Sequence, residues 1–352
     1  MKVIECIPNF SEGRDSQKIK SIVDEIQSSS RLGVLDVSSG KTTNRTVVTF
    51  IGTPQGVKEG AFRGIKKASQ ILDMRKHHGT HLRMGATDVC PLVPVQGMNM
   101  EECIQISFEL GERVAHELNI PVFLYEKSAQ LPERQSLAHI RKGQWEGLCE
   151  KIKDPHWTPD YGGPIFNAKT GATAIGARKY LIALNINLNT QDKNTAHRIA
   201  VRLRESGGIQ KDHRGNIVRD KYEDPVLLHG KFKAVKAMGW YVDDFKIAQI
   251  SINFTDYQTT PPHIVFEEAK KEAKKYGVKV TGCELVGLIP KQALLMAGRY
   301  YLKESDKNSQ IPEKEIINTA IGHLGLNDVT PFNPSKKIIE YQVQKYKKIL
   351  YP

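Results

Sequence analysis

Two runs of strands and helices in the same order predict an α+β fold of two similar halves. Each run reads βαββαβ, the split pattern of ferredoxin-like domains. The first covers Lys2–Val95 and the second Lys179–Val286, with a glycine- and proline-rich stretch between them. The length agrees, since 352 residues suit about two domains. Extra helices extend the halves, and a cleft or tunnel between them is the expected place for a ligand.

In the first half, Lys2–Pro8 carries Val3, Ile4 and Ile7 and reads as a buried strand. Asn9-Phe10-Ser11-Glu12-Gly13 is turn chemistry. Asp15 suits the N-cap of a helix to about Ser28, because Ile19, Ile22, Val23 and Ile26 recur at helical spacing. Leu32–Val37 and Arg45–Ile51 are rich in β-branched residues and read as strands around a polar turn, Ser38–Thr43. Pro54 opens a helix that turns Val57, Ala61, Ile65 and Ala68 inward and ends near Met74. A strand at Val89–Val95, a helix at Met100–Leu118 and a strand at Pro121–Tyr125 follow.

The order then recurs. Lys179–Asn187 is a strand, and Thr190–Arg204 a helix with Ala196, Ile199, Ala200 and Leu203 inward. Lys233–Val242 and Lys246–Phe254 are strands joined at Asp243-Asp244. Pro262–Tyr276 is a helix that Gly277 ends, and Val278–Val286 is a strand. Helices near Lys291–Tyr301 and Glu313–Leu324 form a tail. No residue-level repeat accompanies the repeated order. The boundary falls where Pro155, Pro159, Gly162, Gly163, Pro164, Gly171 and Gly176 concentrate, giving halves of 1–178 and 179–352.

Composition narrows the function classes. At 39% hydrophobic and 26% charged, the chain reads as an ordinary globular protein, without a run that could span a membrane. The N-terminus is soon interrupted by Glu5 and Pro8, which does not suit a signal peptide. Five scattered cysteines without a C-x-x-C pair disfavour a disulfide framework and a zinc ribbon, and fit the cytoplasm. The net charge of +12 is spread along the chain. It suits a small anionic ligand, or simply a solvated basic surface. A nucleic-acid-binding module, the rival from another class, would show a basic stripe with interleaved aromatics, and no such motif stands here.

Three constellations carry chemistry. Arg75 to Asp88 places His77, His78 and His81 among Arg75, Lys76 and Arg83. Histidine is matched to proton transfer near neutral pH. His77 and His78 also suit a helix C-terminus, whereas His81 lies beyond Gly79 in a loop with no helix left to cap. A metal on His77 and His81 is disfavoured, because Gly79 breaks the helix that would align them. The second constellation is Asp160 to Lys179, whose glycines let backbone approach a ligand or form a plain linker. The third is Asn9–Gly13 with Asp36 and Asn44-Arg45 at strand ends.

Longer motifs follow from these. They are Pro8-Asn9-Phe10-Ser11-Glu12-Gly13, Thr43-Asn44-Arg45-Thr46-Val47, His81-x-Arg83-Met84-Gly85-Ala86-x-Asp88-Val89-Cys90-Pro91 and Gly171-Ala172-Thr173-Ala174-x-Gly176-Ala177-Arg178-Lys179. In this order the chain resembles the glutamate formiminotransferase family, the transferase half of formiminotransferase–cyclodeaminase. The resemblance runs from residue 3 to about 341. It implies two ferredoxin-like subdomains with a positively charged tunnel between them, and a homodimer. It implies transfer of a formimino group from N-formimino-L-glutamate to tetrahydrofolate, or to its polyglutamylated form, in histidine degradation. The family's catalytic histidine falls on His81. Its folate-binding stretch falls on Gly162, Gly163, Pro164, Ile165, Phe166, Asn167, Ala168, Lys169, Thr170 and Gly171. Leu82 stands where relatives have proline, and Gly207–Lys231 is longer and more polar than in the animal form. With the sequence running to Pro352, the cyclodeaminase half is expected to be absent, and a separate cyclodeaminase is a candidate partner whose association stays open.

The chemistry agrees with this resemblance. Attack of N5 on an amidine carbon releases one proton, and the departing glutamate nitrogen needs one. A single histidine can serve as base and then as acid. No metal is needed for these steps, and neither a nucleic acid nor a membrane is an expected partner. Asp36 is the expected orienter of His81, as in a base–orienter pair. A formyl donor, such as N-formylglutamate with folate, is the alternative within the same class.

Overall fold

A computed structural model describes residues 2–303 except Lys211, His213 and Lys221, and residues 311–350. The ends of the two predicted halves at Met1 and Pro352, and the three named positions within Gly207–Lys231, lie outside the described residues. The fold is α+β and divides into two compact units. One comprises residues 2–179 with Val343–Leu350, and the other Tyr180–Gln342.

In the first unit, strand β1 (Val3–Cys6) continues after Pro8 as β2 (Asn9–Phe10). Helix α1 (Ser16–Gln27) starts where the Asp15 carboxylate accepts from the N–H groups of Gln17 and Lys18. Strands β3 (Leu32–Gly40) and β4 (Arg45–Gly52) form a hairpin whose turn includes Asn44 in the left-handed region, at φ +48°. Helix α2 (Pro54–Ile71) is capped by Thr53 and has proline in its first turn. It ends at Ile71, earlier than expected, and Met74–Lys76 forms a separate 3₁₀ turn. Strand β5 (Thr87–Gln96) leads to α3 (Met100–Leu118), which opens on a reciprocal Asn99–Glu102 capping box. Strand β6 (Val122–Leu124), the short helices α4 (Leu137–Ile140) and α5 (Leu148–Lys151), and strand β7 (Thr173–Ala177) complete the unit, with the closing helix residues Val343–Leu350.

The first sheet runs β3-β4-(β1,β2)-β5-β7-β6. β1 and β2 lie antiparallel between β4 and β5, while β7 pairs in parallel with both β5 and β6. Sequence reading placed residues 173–177 in a glycine-rich boundary, and this strand corrects it. Phe10, Ile22, Phe50, Ile65, Leu92 and Val114 belong to the main core of the unit. Met84, Val89, Phe123 and Leu148 belong to a smaller one.

In the second unit the elements are β8 (Ile182–Leu188), α6 (Lys193–Leu203) and a small hairpin of β9 (Gly208–Ile209) and β10 (Leu227–Leu228). After these come β11 (Val235–Val242), β12 (Ile247–Phe254), α7 (Pro262–Lys275) and β13 (Val280–Val286). Helices α8 (Lys291–Leu302), α9 (Glu313–His323) and α10 (Pro334–Lys337) follow, with the start of α11 (Ile339–Leu350). The antiparallel sheet runs β11-β12-β8-β13. Strand alternation puts Ile182, Leu184, Ile186 and Leu188 into the core. The other face of β8 carries Asn185 and Asn187. Gln249 Nε2 donates to Asn187 Oδ1 at 2.8 Å and to Glu284 Oε2 at 3.0 Å, so the buried amides are satisfied.

Candidate functional site

Three backbone segments of the first unit meet around the loop that carries His81. The Ser11 N–H donates to the Ala86 carbonyl at 2.9 Å, and the Ser11 hydroxyl to that of Gly85 at 2.7 Å. Asn44 accepts from the Gly13 N–H and donates to the His78 carbonyl, each at 2.9 Å. The Ala86 N–H reaches the Thr170 carbonyl at 2.7 Å, and the Ala172 N–H that of Met84 at 3.2 Å. At this last seam only glycine fits. A Cβ on Gly85 would stand 2.1 Å from the Ala172 oxygen, and one on Gly171, at φ +66°, 2.1 Å from the Met84 oxygen. The segments singled out in the sequence are therefore neighbours in space.

The histidines of the loop take different tasks. His77 is buried, with Nε2 on the Asn44 carbonyl at 2.8 Å and Nδ1 accepting from Arg83 Nε at 3.2 Å. Arg83 is also paired through two nitrogens with Glu146, at 2.6 and 2.8 Å. A neutral imidazole has one donor and one acceptor, and both are used here. Burial, opposed by the Asn44 bond, pushes the His77 pKa down. His77 is thus a bridge between loops and not a cap on α2. His78 contributes its carbonyl to Asn44.

His81 holds the opposite tautomer. Its Nδ1 meets the Leu82 carbonyl at 2.6 Å, so this nitrogen carries the hydrogen. Its Nε2 then presents a lone pair, on which Arg45 Nη1 donates. Burial first, then the charges of Arg45 and Arg141, push its pKa down to about 3, against the opposing pull of Asp88. Nδ1 is held by the Leu82 carbonyl, and Asp36, the expected orienter, accepts from the Ser38 hydroxyl at 2.6 Å. Asp88 is buried, accepts from the Met84 N–H at 3.0 Å and pairs with Arg141. Arg141 closes α4 and was not singled out in the sequence, where Arg141-Lys142 looks like solvated surface. The site therefore sets two guanidinium groups and one carboxylate around a neutral imidazole.

The stretch Gly162–Gly171 is fastened at several points, unlike a free linker. The Trp145 indole donates to the Ala168 carbonyl at 3.2 Å, and its ring lies 6.0 Å from that of Phe166. The Lys169 ammonium donates to the Gln70 carbonyl at 2.8 Å, and Asn167 Oδ1 accepts from the Thr170 N–H at 3.1 Å. Gly162 stands against Pro121 and Ala115, at φ +89°. Gly163, at φ +63°, has open space where a side chain would go, and Ile165 is 72% exposed. The Thr170–Gly171 end adjoins the His81 loop through the seam described above. Among the described residues no group of three histidine, cysteine, aspartate or glutamate side chains is placed to hold a metal ion.

Comparison with known proteins covers nearly the whole chain. Residues 3–178 match the formiminotransferase domain, N-terminal subdomain, and residues 183–344 match the formiminotransferase domain. A formimidoyltransferase-cyclodeaminase of Rattus norvegicus is 45% identical over 97% of this chain and 60% of its own length. A glutamate formimidoyltransferase of Streptococcus pyogenes serotype M1 is 42% identical over 90% of this chain and 99% of its own length. One from Thermoplasma acidophilum is 41% identical, over 86% and 93% respectively. The chain thus spans about 60% of the longer relatives it matches and nearly all of the shorter ones.

Proposed function

The chain belongs to the formiminotransferase domain family, and from that premise we propose that it is a folate-dependent glutamate formimidoyltransferase. It moves the formimino group of N-formimino-L-glutamate to N5 of tetrahydrofolate, in histidine degradation. The observation that carries the reading is the state of His81: a neutral ring whose Nδ1–H is held by the Leu82 carbonyl, leaving Nε2 as base.

In this reading N5 of tetrahydrofolate attacks the amidine carbon, and the new C–N bond gives a tetrahedral adduct. Nε2 of His81 takes the proton released by N5. The carbon–nitrogen bond to glutamate then breaks, and the same proton goes to the departing nitrogen. The products are 5-formiminotetrahydrofolate and L-glutamate, with no net change of protons on the enzyme. Tetrahydrofolate is a co-substrate, and each proton step uses the one ring without a metal. The stretch Gly162–Gly171 is the proposed folate contact, supported by the open space at Gly163 and the exposed Ile165. The halves 1–178 and 179–352 are read as ferredoxin-like subdomains. Support comes from the strand order second-third-first-fourth, counted along the chain, which recurs in both sheets.

The test is a spectrophotometric assay for 5-formiminotetrahydrofolate, run with N-formimino-L-glutamate and, separately, with N-formyl-L-glutamate. Turnover with the formimino donor is expected. Transfer only from the formyl donor, or from neither, would overturn the reading.

A further inference from the structure

We propose that Arg45 binds a substrate carboxylate and that this binding uncovers His81: Arg45 covers Nε2 in the structure, and an arriving carboxylate draws the guanidinium away. This rests on the transferase reading above and adds to it a binding residue and the order of events.

Geometry carries the argument. The Nδ1–H of His81 is committed to the Leu82 carbonyl, so Nε2 holds the ring's lone pair. Arg45 Nη1 donates onto that lone pair. A base covered in this way cannot take a proton until the donor leaves. Arg45 Nε is buried without a hydrogen-bond partner, and so is Arg141 Nε. The carboxylate whose charge acts on Arg45, Asp88, is paired with Arg141. Two guanidinium groups thus share one carboxylate, and a positive charge is left over in a buried place. Such a charge is costly until an anion compensates it. Nε and the outer nitrogen of a guanidinium form a planar fork that matches a carboxylate. Arg45 opens β4 directly after the left-handed Asn44, so its backbone is fixed by the hairpin. Burial pushes the Arg45 pKa down to about 10, which is the same lack of a counter-charge seen from the arginine.

The charged and polar groups that face His81 are Arg45 from β4, Asp88 from β5, Arg141 at the end of α4, and the Leu82 carbonyl in its own loop. A carboxylate on Arg45 would remove one of the two cationic influences and free Nε2 together. The ligand chemistry is that of a glutamate carboxylate. Both the formimino donor and the glutamyl tail of the folate contain one.

The experiment follows the ring nitrogens of His81 by ¹⁵N NMR in the full chain while L-glutamate, tetrahydrofolate or 6-methyltetrahydropterin, which has no carboxylate, is added. The expected result is a change at Nε2 with L-glutamate that is lost in Arg45→Gln. A change with tetrahydrofolate but with neither 6-methyltetrahydropterin nor L-glutamate keeps the proposal and assigns the carboxylate to the folate tail. In steady state, Arg45→Gln should raise the KM of the carboxylate-bearing substrate by roughly 10–100-fold, the worth of a charge-assisted hydrogen-bonded contact. Arg45→Lys keeps the charge without the fork and guards against misfolding. It should melt near wild type and lie between the two in KM. If no glutamyl ligand perturbs Nε2 in a wild-type protein that transfers the formimino group, the proposal fails and the function stands. If wild type transfers no formimino group, the function itself fails, whatever the NMR shows.

Discussion

Replacing Gly85 by alanine should part the His81 loop from the glycine stretch. The new methyl carbon would stand 2.1 Å from the Ala172 carbonyl oxygen and 2.8 Å from that of Thr170. Both obstacles are backbone, so no side-chain rotation relieves them. A carbon–oxygen contact needs about 3.3 Å, so the two segments must separate by roughly 1 Å. The hydrogen bonds Ala86–Thr170, at 2.7 Å, and Ala172–Met84, at 3.2 Å, cross this seam. Losing both costs about 2 kcal/mol net. Overpacking adds about 1–3 kcal/mol. For a unit of this size, each kcal/mol lowers the melting temperature by about 2–4 °C, so a fall of roughly 6–20 °C is expected. Displacing His81 by about 1 Å should also reduce turnover roughly 100-fold. The assays are a thermal melt and formimino transfer measured well below the melting point. Gly322→Ala is the comparison, because its methyl meets no atom within 4 Å and its backbone is not in the left-handed region. Wild-type melting and wild-type turnover in Gly85→Ala would refute the close seam and the positioning role argued from it.

His81→Ala should lower turnover by roughly 10²–10⁴-fold, with tetrahydrofolate binding largely kept; wild-type turnover would remove His81 from the chemistry. Gly163→Val puts a β-branched residue at φ +63° in the proposed folate contact and should weaken tetrahydrofolate binding, measured by calorimetry, more than it lowers the melting temperature. Unchanged affinity would detach this stretch from the folate. For pH, His77, His81 and His263 all have pKa values lowered chiefly by burial, to about 3 for His81 and about 4 for His263. The unfolded chain protonates these rings near pH 6.5, while the folded one resists. Their stabilising effect is therefore complete above that pH and declines as pH falls from about 6.5 toward the folded values. Melting temperature should drop on acidification from pH 7 to 5, and less steeply in His81→Gln; an equal slope in the two proteins would count against the buried neutral ring.

What the sequence reveals and what it hides have physical causes. Helix α1 was readable because its cap and apolar spacing are local: Asp15 stands where its hydrogen bonds are made. Strand β7 was not. Thr173-Ala-Ile-Gly-Ala has the composition of a loop, and it becomes a strand through parallel pairing with β5 and β6. Its small residues answer to close neighbours, since a Cβ at Gly176 would stand 2.2 Å from the Tyr125 carbonyl. At the site, His81 stood out in a loop with no helix left to cap, while Asn44 and Arg45 were ordinary turn residues that could be noted only for their place at strand ends. Arg141 carried no local sign, because its meaning comes from Asp88, which lies far away in the chain. Asp36 was read as the orienter for a related reason. Side-chain chemistry can be read from a sequence, but the group on His81 Nδ1 is a backbone carbonyl, which every residue possesses.

The parallel entry of β7 also bears on how the site comes into being during synthesis. β5 and its antiparallel neighbours can associate as soon as they leave the ribosome. The partner that locks the His81 loop, Thr170–Ala172, leads directly into β7 and emerges only after α3, β6 and the short helices have been made. Closing such a long loop carries an entropy cost that is recovered only when the final strand pairs. His81 is thus made early and held late. A nascent first unit contains the proposed proton-transfer group well before the backbone from Thr170 to Ala177 completes the seam that holds its loop.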